Sequence, residues 1–279
     1  MAAENLKNLV QEMPDPDARG MYCTNIDKAK IEHAIAEIHK GGKANVLGLI
    51  DMLVEPGSGD DSKAHYALHC LGNYTIQSKN EQARCEFGEA LASQLGGSRP
   101  KGVQAYLCQE LQWFGRGEAV PALGKLLGDE QLGPPAAMAL TAIDTGAAEQ
   151  FRAALPAAKG VCKRNVVQGL GAVADSESIP ALRALVVDED REVRITAGWA
   201  LARMGDAGAV DLLLKAAAVE PGWERIQATK HCLVLAEKLI AGGKKDEAAK
   251  IYAELRRTRQ GPHEQYVRDA ADKALAASK

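Results

Sequence analysis

Between residues 190 and 217 the apolar positions step by three and four. Ala197, Ala200, Leu201 and Met204 follow Arg194, Gly205 breaks the series, and Val210, Leu213 and Leu214 begin it again. Steps of this size place side chains on one face of a helix. The spacing therefore predicts a helical pair, its first helix ended by Gly205 and its second opened by Asp206. The same arrangement stands 31 residues upstream at Lys163, Val166, Gly169, Leu170 and Val173, with Asp175 in the turn and Ile179 and Leu182 beyond it. It stands 31 residues downstream at Arg225, Ala228, His231, Cys232 and Leu235. Further copies run through Ala64, Ala67, Leu68 and Leu71, through Leu107, Leu111 and Phe114, through Ala136, Ala139, Leu140 and Ile143, and through Arg268, Ala271, Ala274 and Leu275. A weaker one opens the array at Ile31, Ala34, Ile35 and Ile38.

A helical pair of this length cannot cover its own apolar face, and stacking on the next pair supplies the cover. The predicted fold is all-α, an α-α superhelix in the form of a right-handed solenoid of about eight stacked pairs. Residues 1–24 are expected to form an N-terminal helix and linker, and 25–279 a single solenoid domain closed by a capping helix over 263–279. Second helices of the pairs are expected near 44–54, 80–95, 118–128, 147–157, 177–187, 208–218 and 246–258. Aromatic residues are only 4 % of the chain, so the core must come from small and aliphatic side chains that let helix axes approach closely.

The stretch "VRITAGWALARMGDAGAVDLLLKA" resembles a HEAT repeat, in particular the short bacterial type also found in phycobilin-lyase subunits. The resemblance is most specific over 160–217, where the family's turn signature stands at Gly205, Asp206 and Val210 and, in part, at Ala174, Asp175 and Ile179. The unit at 131–158 departs most from the pattern, with Pro134–Pro135 and a short connection. Within 222–260, Ala248, Tyr252 and Leu255 resemble a tetratricopeptide-type helix pair instead. Both resemblances imply an α-solenoid.

The formal net charge of −3 offers no general attraction to nucleic acid or an anionic membrane, so neither is an expected partner. No apolar stretch approaches the ~20 residues a bilayer needs. The first residues lack the basic start and apolar run of a signal peptide, so the sequence as it stands reads as cytoplasmic, or as exported if a leader preceded it. The six cysteines are scattered singly, without a CxxC, and are expected as reduced thiols packed among apolar neighbours.

Few motifs carry chemistry. "GLGAVA" at 169–174 satisfies G-x-G-x-x-A but falls within a first helix rather than on a strand-to-helix turn, so it is not expected to bind a dinucleotide. Asp61, His65 and His69 form a stripe at i, i+4 and i+8, the one weak candidate for a metal site. The competing expectation is that both histidines are solvated surface residues. His231 and Cys232 repeat the His-Cys pair at core positions, where packing explains them. Trp113 and Trp199 fall between the buried positions of their helices, so each is either an interface anchor or inter-repeat packing. The basic run Lys250, Arg256, Arg257 and Arg259 is expected at a solvated helix end.

No cofactor is indicated. The function expected is non-enzymatic recognition of a protein or peptide on the concave face of a monomeric solenoid. Trp113, Trp199, Arg84, Glu118, Lys125, Arg183 and Lys215 are the candidate contacts. The alternative is a HEAT-like enzyme or enzyme subunit of the phycobilin-lyase type, or a DNA glycosylase, whose basic groove the acidic balance before residue 223 opposes.

Overall fold

The computed structural model describes residues 3–20 and 22–277; the outermost positions of the expected N-terminal segment and capping helix lie outside the described residues. The chain is all-α and solenoid-like. Its contacts divide into two compact units, 1–150 and 151–279.

In the first unit, α1 (Ala3–Gln11) precedes a two-residue antiparallel ladder, β1 (Asp15–Pro16) and β2 (Cys23–Thr24). Helical pairs follow: α2 (Lys28–Lys40) with α3 (Gly42–Ile50), α4 (Ser62–Gln77) with α5 (Glu81–Ala92), and α6 (Lys101–Phe114) with the short α7 (Val120–Gly124). Then come α8 (Gly133–Ile143) and α9 (Ala147–Ala154), within which the unit boundary falls. The ladder was not foreseen, and Lys63 anchors this region by pairing with Asp15 at 2.9 Å and donating to the Gln11 carbonyl. Pro134 and Pro135 do not disturb α8. They occupy its first turn, where a missing N–H costs nothing. The interval after α4 is long because 93–100 form a loop tied down by Gln104, which accepts from the Gly96 N–H at 2.8 Å and donates to the Gly97 and Arg99 carbonyls.

The second unit continues with α10 (Gly160–Ala172) and α11 (Ile179–Leu185), α12 (Arg191–Met204) and α13 (Val210–Ala216), then α14 (Trp223–Ala241) and α15 (Lys245–Thr258), and ends on α16 (Gln265–Ala277). Short 3-10 turns over 176–178, 207–209 and 262–264 lead into α11, α13 and α16. The first helices α10, α12 and α14 pack side by side, and glycines make that approach possible. A Cβ on Gly169 would stand 2.4 Å from the Phe151 ring, and one on Gly171 would stand 2.5 Å from the Ala200 Cβ and 2.8 Å from the Trp199 ring. The glycines of "GLGAVA" are thus packing glycines inside α10.

The turns repeat as faithfully as the helices. At Gly205 the backbone is left-handed (φ 70°), and the Asp206 N–H returns to the Leu201 carbonyl at 3.2 Å, closing a Schellman-type cap. At the matching turn Asp175 N–H reaches the Leu170 carbonyl at 3.0 Å, but the left-handed position is Ala174, at φ 54°. A side chain there costs about 1–2 kcal/mol. Ala174→Gly is therefore expected to raise stability by about 1 kcal/mol, measured by urea titration; a loss of stability would refute the matching of the two turns.

Ion pairs carry the same period. Arg152 clamps the buried turn carboxylate Asp175, and Arg183, 31 positions on, clamps Asp206 through two bonds of 2.7 and 2.5 Å. A second row starts from the leading cation of each first helix: Lys163 on Asp188, Arg194 on both oxygens of Glu224 at 2.8 and 3.0 Å, and Arg225 on both oxygens of Glu264 at 2.8 and 3.2 Å. The Arg183, Arg194 and Arg225 clamps each join one helical pair to the element that follows it, whereas Lys163 ties α10 to the segment after α11. These bonds hold the Glu224 and Glu264 carboxyls below the usual carboxylate range.

Candidate functional site

An apolar cleft of about 280 Å³ opens in the second unit where α13 crosses α12 and α14. It forms because the local sequence leaves room there. Gly198 on α12 carries no side chain, and a Cβ at that position would stand 3.1 Å from Nδ1 of His231 on α14. Val186, Val187, Ile195, Leu212, Ala216 and Val219 supply most of the apolar wall, with Val187 70 % exposed at the end of α11. Asp188, Arg194 and Glu224 also line it, but they are engaged in the clamps already described. His231 lies at the inner end, 6 % exposed, and burial lowers its pKa to about 4, so the ring is neutral at physiological pH. Lys215 stands exposed at the rim and makes no ion pair among the described residues.

Lys215 also borders a neighbouring groove of about 530 Å³ between α13 and α15. Asp211, Leu214 and Ala218 form one bank, and Lys250, Ala253, Glu254 and Arg257 the other. Lys250 reaches Asp211 across the groove at 2.5 Å, and Arg257 pairs with Glu254 on its own helix at 2.6 Å. The two carboxylates are matched by two cations, and Lys215 is left over. A further apolar cleft of about 660 Å³, walled by Ile226, Tyr266 and Val267, lies between the start of α14 and α16.

The other singled-out residues are placed as follows. Trp113 is 64 % exposed on α6. Trp199 is half-buried, packs over Gly171 of the preceding first helix and carries Arg203 5.8 Å from its ring centroid, so it serves inter-repeat packing. Glu118 lies over Gly88 and accepts from the Arg116 N–H at 2.9 Å. Arg84 is half-buried on α5, its Nε without a partner among the described residues. Lys125 is exposed at the end of α7. Arg183 is committed to Asp206 and is not a free rim contact. Only Lys215 borders the cleft of α12–α14.

Asp61, His65 and His69 do not converge. Asp61 approaches His65 at 3.2 Å, whereas Nδ1 of His69 faces both oxygens of Glu110 on α6 at 3.2 Å. Among the described residues no group of three or more such side chains is placed to hold a metal ion. The expectation that both histidines are surface residues holds in part: His69 is exposed and His65 half-buried, but each side chain also makes contacts within the unit. They occupy the positions that Gly198 and Ala202 hold on α12, and both point toward α6, His65 with its ring centroid 4.0 Å from Tyr106 and His69 5.3 Å from Phe114. Glu110 is 3 % exposed, and its burial pushes the carboxyl pKa up against the opposing pull of His69. With large polar side chains in this seam, α6 lies less closely on α4 than on α8.

The basic run lies at an exposed helix end, as expected, except for Arg259. Lys250 and Arg257 are paired as above, Arg256 meets Asp272 at 2.5 Å, and Arg259 is buried rather than solvated.

Residues 148–233, from α9 into α14, match the family model of HEAT repeats. That stretch is made of HEAT-like repeats, and the chain as a whole is all-α and solenoid-like. The cleft beside α13 lies within the matched repeats except for the groove it shares with α15. Among solved structures, the chain is similar to an engineered protein at 19 % identity, over 98 % of this chain and 82 % of that one, with a TM-score of 0.41. The complex of CpcE and CpcF of phycocyanin lyase from Nostoc sp. PCC7120 is 20 % identical over 84 % of this chain and 94 % of that one, TM-score 0.42. Human deoxyhypusine hydroxylase in complex with glycerol is 16 % identical over 99 % and 96 %, TM-score 0.34. No curated protein matches the sequence.

Proposed function

We propose that this HEAT-like chain is a non-enzymatic recognition module that docks a segment of a partner protein in the cleft beside α13. The observation that carries the reading is the cleft itself: an apolar recess whose carboxylates and arginine are already engaged in ion pairs, open to solvent past Val187. An apolar pocket with few polar groups at its edge is suited to binding a side chain from water. Its groups are poorly suited to proton transfer, since burial makes the neutral His231 ring a weak base, with a pKa of about 4, and places it beneath the wall. The pairing of Asp188 with Lys163 and of Glu224 with Arg194 leaves those carboxylates as fixed parts of the scaffold.

The test is selection of a random twelve-residue peptide library on the immobilised full chain. Enriched peptides are expected, and Val187→Asp, a change at an exposed position, is expected to weaken them at least tenfold while leaving the unfolding midpoint in place. A library from which no peptide is enriched, or peptides indifferent to Val187→Asp, would overturn the assignment of this cleft.

A further inference from the structure

Resting on that reading, we infer that the docked segment is an extended, polyproline-like stretch bearing a large aliphatic residue and, three positions away, an aspartate or glutamate. The aliphatic side chain fills the recess beside α13, and the carboxylate meets Lys215 at the mouth of the α13–α15 groove.

The argument begins with charge. At the rim of the recess, Asp188 is neutralised by Lys163, and Glu224 by Arg194. In the adjoining groove, Asp211 is met by Lys250, and Glu254 by Arg257. Lys215 borders both spaces and is committed to neither. Among the groups lining the two spaces, a partner crossing α13 therefore meets one uncompensated positive charge, and a carboxylate is the group that complements it. A basic segment would be repelled on that path.

Spacing supplies the second constraint. Crossing one helix takes a ligand from the first recess to the next groove, a distance set by the ~8–10 Å between packed helix axes. In a polyproline-like chain, residues i and i+3 lie on one side and are about 9 Å apart. A β-strand offers about 7 Å at i+2 or about 13 Å at i+4 on one side, neither of which matches. The three-residue interval with both side chains facing the protein thus follows from the width of α13.

The peptides selected above, resynthesised with a fluorescent label, give the readout. Enriched sequences are expected to share an aliphatic residue and an acidic residue three positions apart. Replacing that acid with its amide, or moving it by one position, should weaken binding about tenfold. Lys215→Glu should do the same, and a peptide carrying lysine in place of the acid should recover affinity for that variant. Lys28→Glu, at an exposed lysine of the first unit, should change nothing. Peptides that lose binding in Val187→Asp but lack the acid, or that ignore Lys215→Glu, would overturn this inference and leave the cleft assignment standing. A library with no enriched peptide would overturn both.

Discussion

Replacing Arg259 with alanine is expected to destabilise the second unit by about 3–5 kcal/mol. Arg259 follows α15 directly and is 2 % exposed, yet its guanidinium is surrounded by acceptors from three places in the chain. Its Nη2 donates to the Ala217 carbonyl at 2.5 Å, its Nε to Thr229 Oγ1 at 3.0 Å, and its Nη1 to Thr258 Oγ1 at 3.1 Å, with Glu264 at 3.8 Å. Burial and the nearby Arg225 lower its pKa, a sign of how strongly the charge depends on those acceptors. Truncation removes the donors and leaves the Ala217 carbonyl and Thr229 hydroxyl in a dry cavity. Lysine is expected to recover less than half the loss, since one ammonium cannot span diverging acceptors as a planar fork does. Chemical denaturation measures the cost, and hydrogen exchange should locate it in α14–α16. A loss below about 1 kcal/mol would show that water replaces the guanidinium.

The second large effect is acid sensitivity through His231. Its folded pKa is lowered to about 4 from an ordinary 6.5, because burial disfavours the imidazolium and Lys230 adds repulsion. The unfolded chain therefore takes up a proton first as pH falls. The stability contributed by the neutral ring is complete above about pH 6.5 and is lost as pH falls toward 4. Linkage puts the loss at roughly 2 kcal/mol by pH 5 and roughly 3 kcal/mol by pH 4. His231→Leu, of similar volume beside Gly198 and Leu213, should flatten that slope between pH 7 and 5. Glu110, whose raised pKa acts in the opposite direction, lies in the other unit and is common to both proteins. Urea titrations across that range are the measurement, and parallel slopes for the two proteins would refute the account.

What the sequence makes legible is what repeats. Ala197, Ala200 and Leu201, and their counterparts 31 residues away, declare a buried stripe because each must meet the next helix with a small or aliphatic side chain. Gly205–Asp206 declares a turn for an equally local reason. The leading cations Lys163, Arg194 and Arg225 were visible as a series, although their partners were not. Singular contacts stayed hidden. Glu110 looks like any helical glutamate until α4 brings His69 beside it, and Arg259 looks like part of a solvated basic run until α14 and the end of α13 close over it. Arg183 was singled out for its charge, but its role depended on Asp206, 23 residues away. The recess beside α13 has room because Gly198 carries no side chain, and nothing in the repeat pattern singles that glycine out. Long-range pairing of one residue with one other leaves no period to detect.

The clamps from Arg152 to Asp175 and from Arg183 to Asp206 are interchangeable in kind: each takes its base from one pair and its carboxylate from the following turn. Such joints are blind to which copy stands next in line. Duplication or excision of one whole 31-residue segment would leave every arginine facing an aspartate, so length in this part of the molecule is open to change by simple recombination. An insertion of another size between an arginine and its aspartate would move the buried carboxylate away from its base.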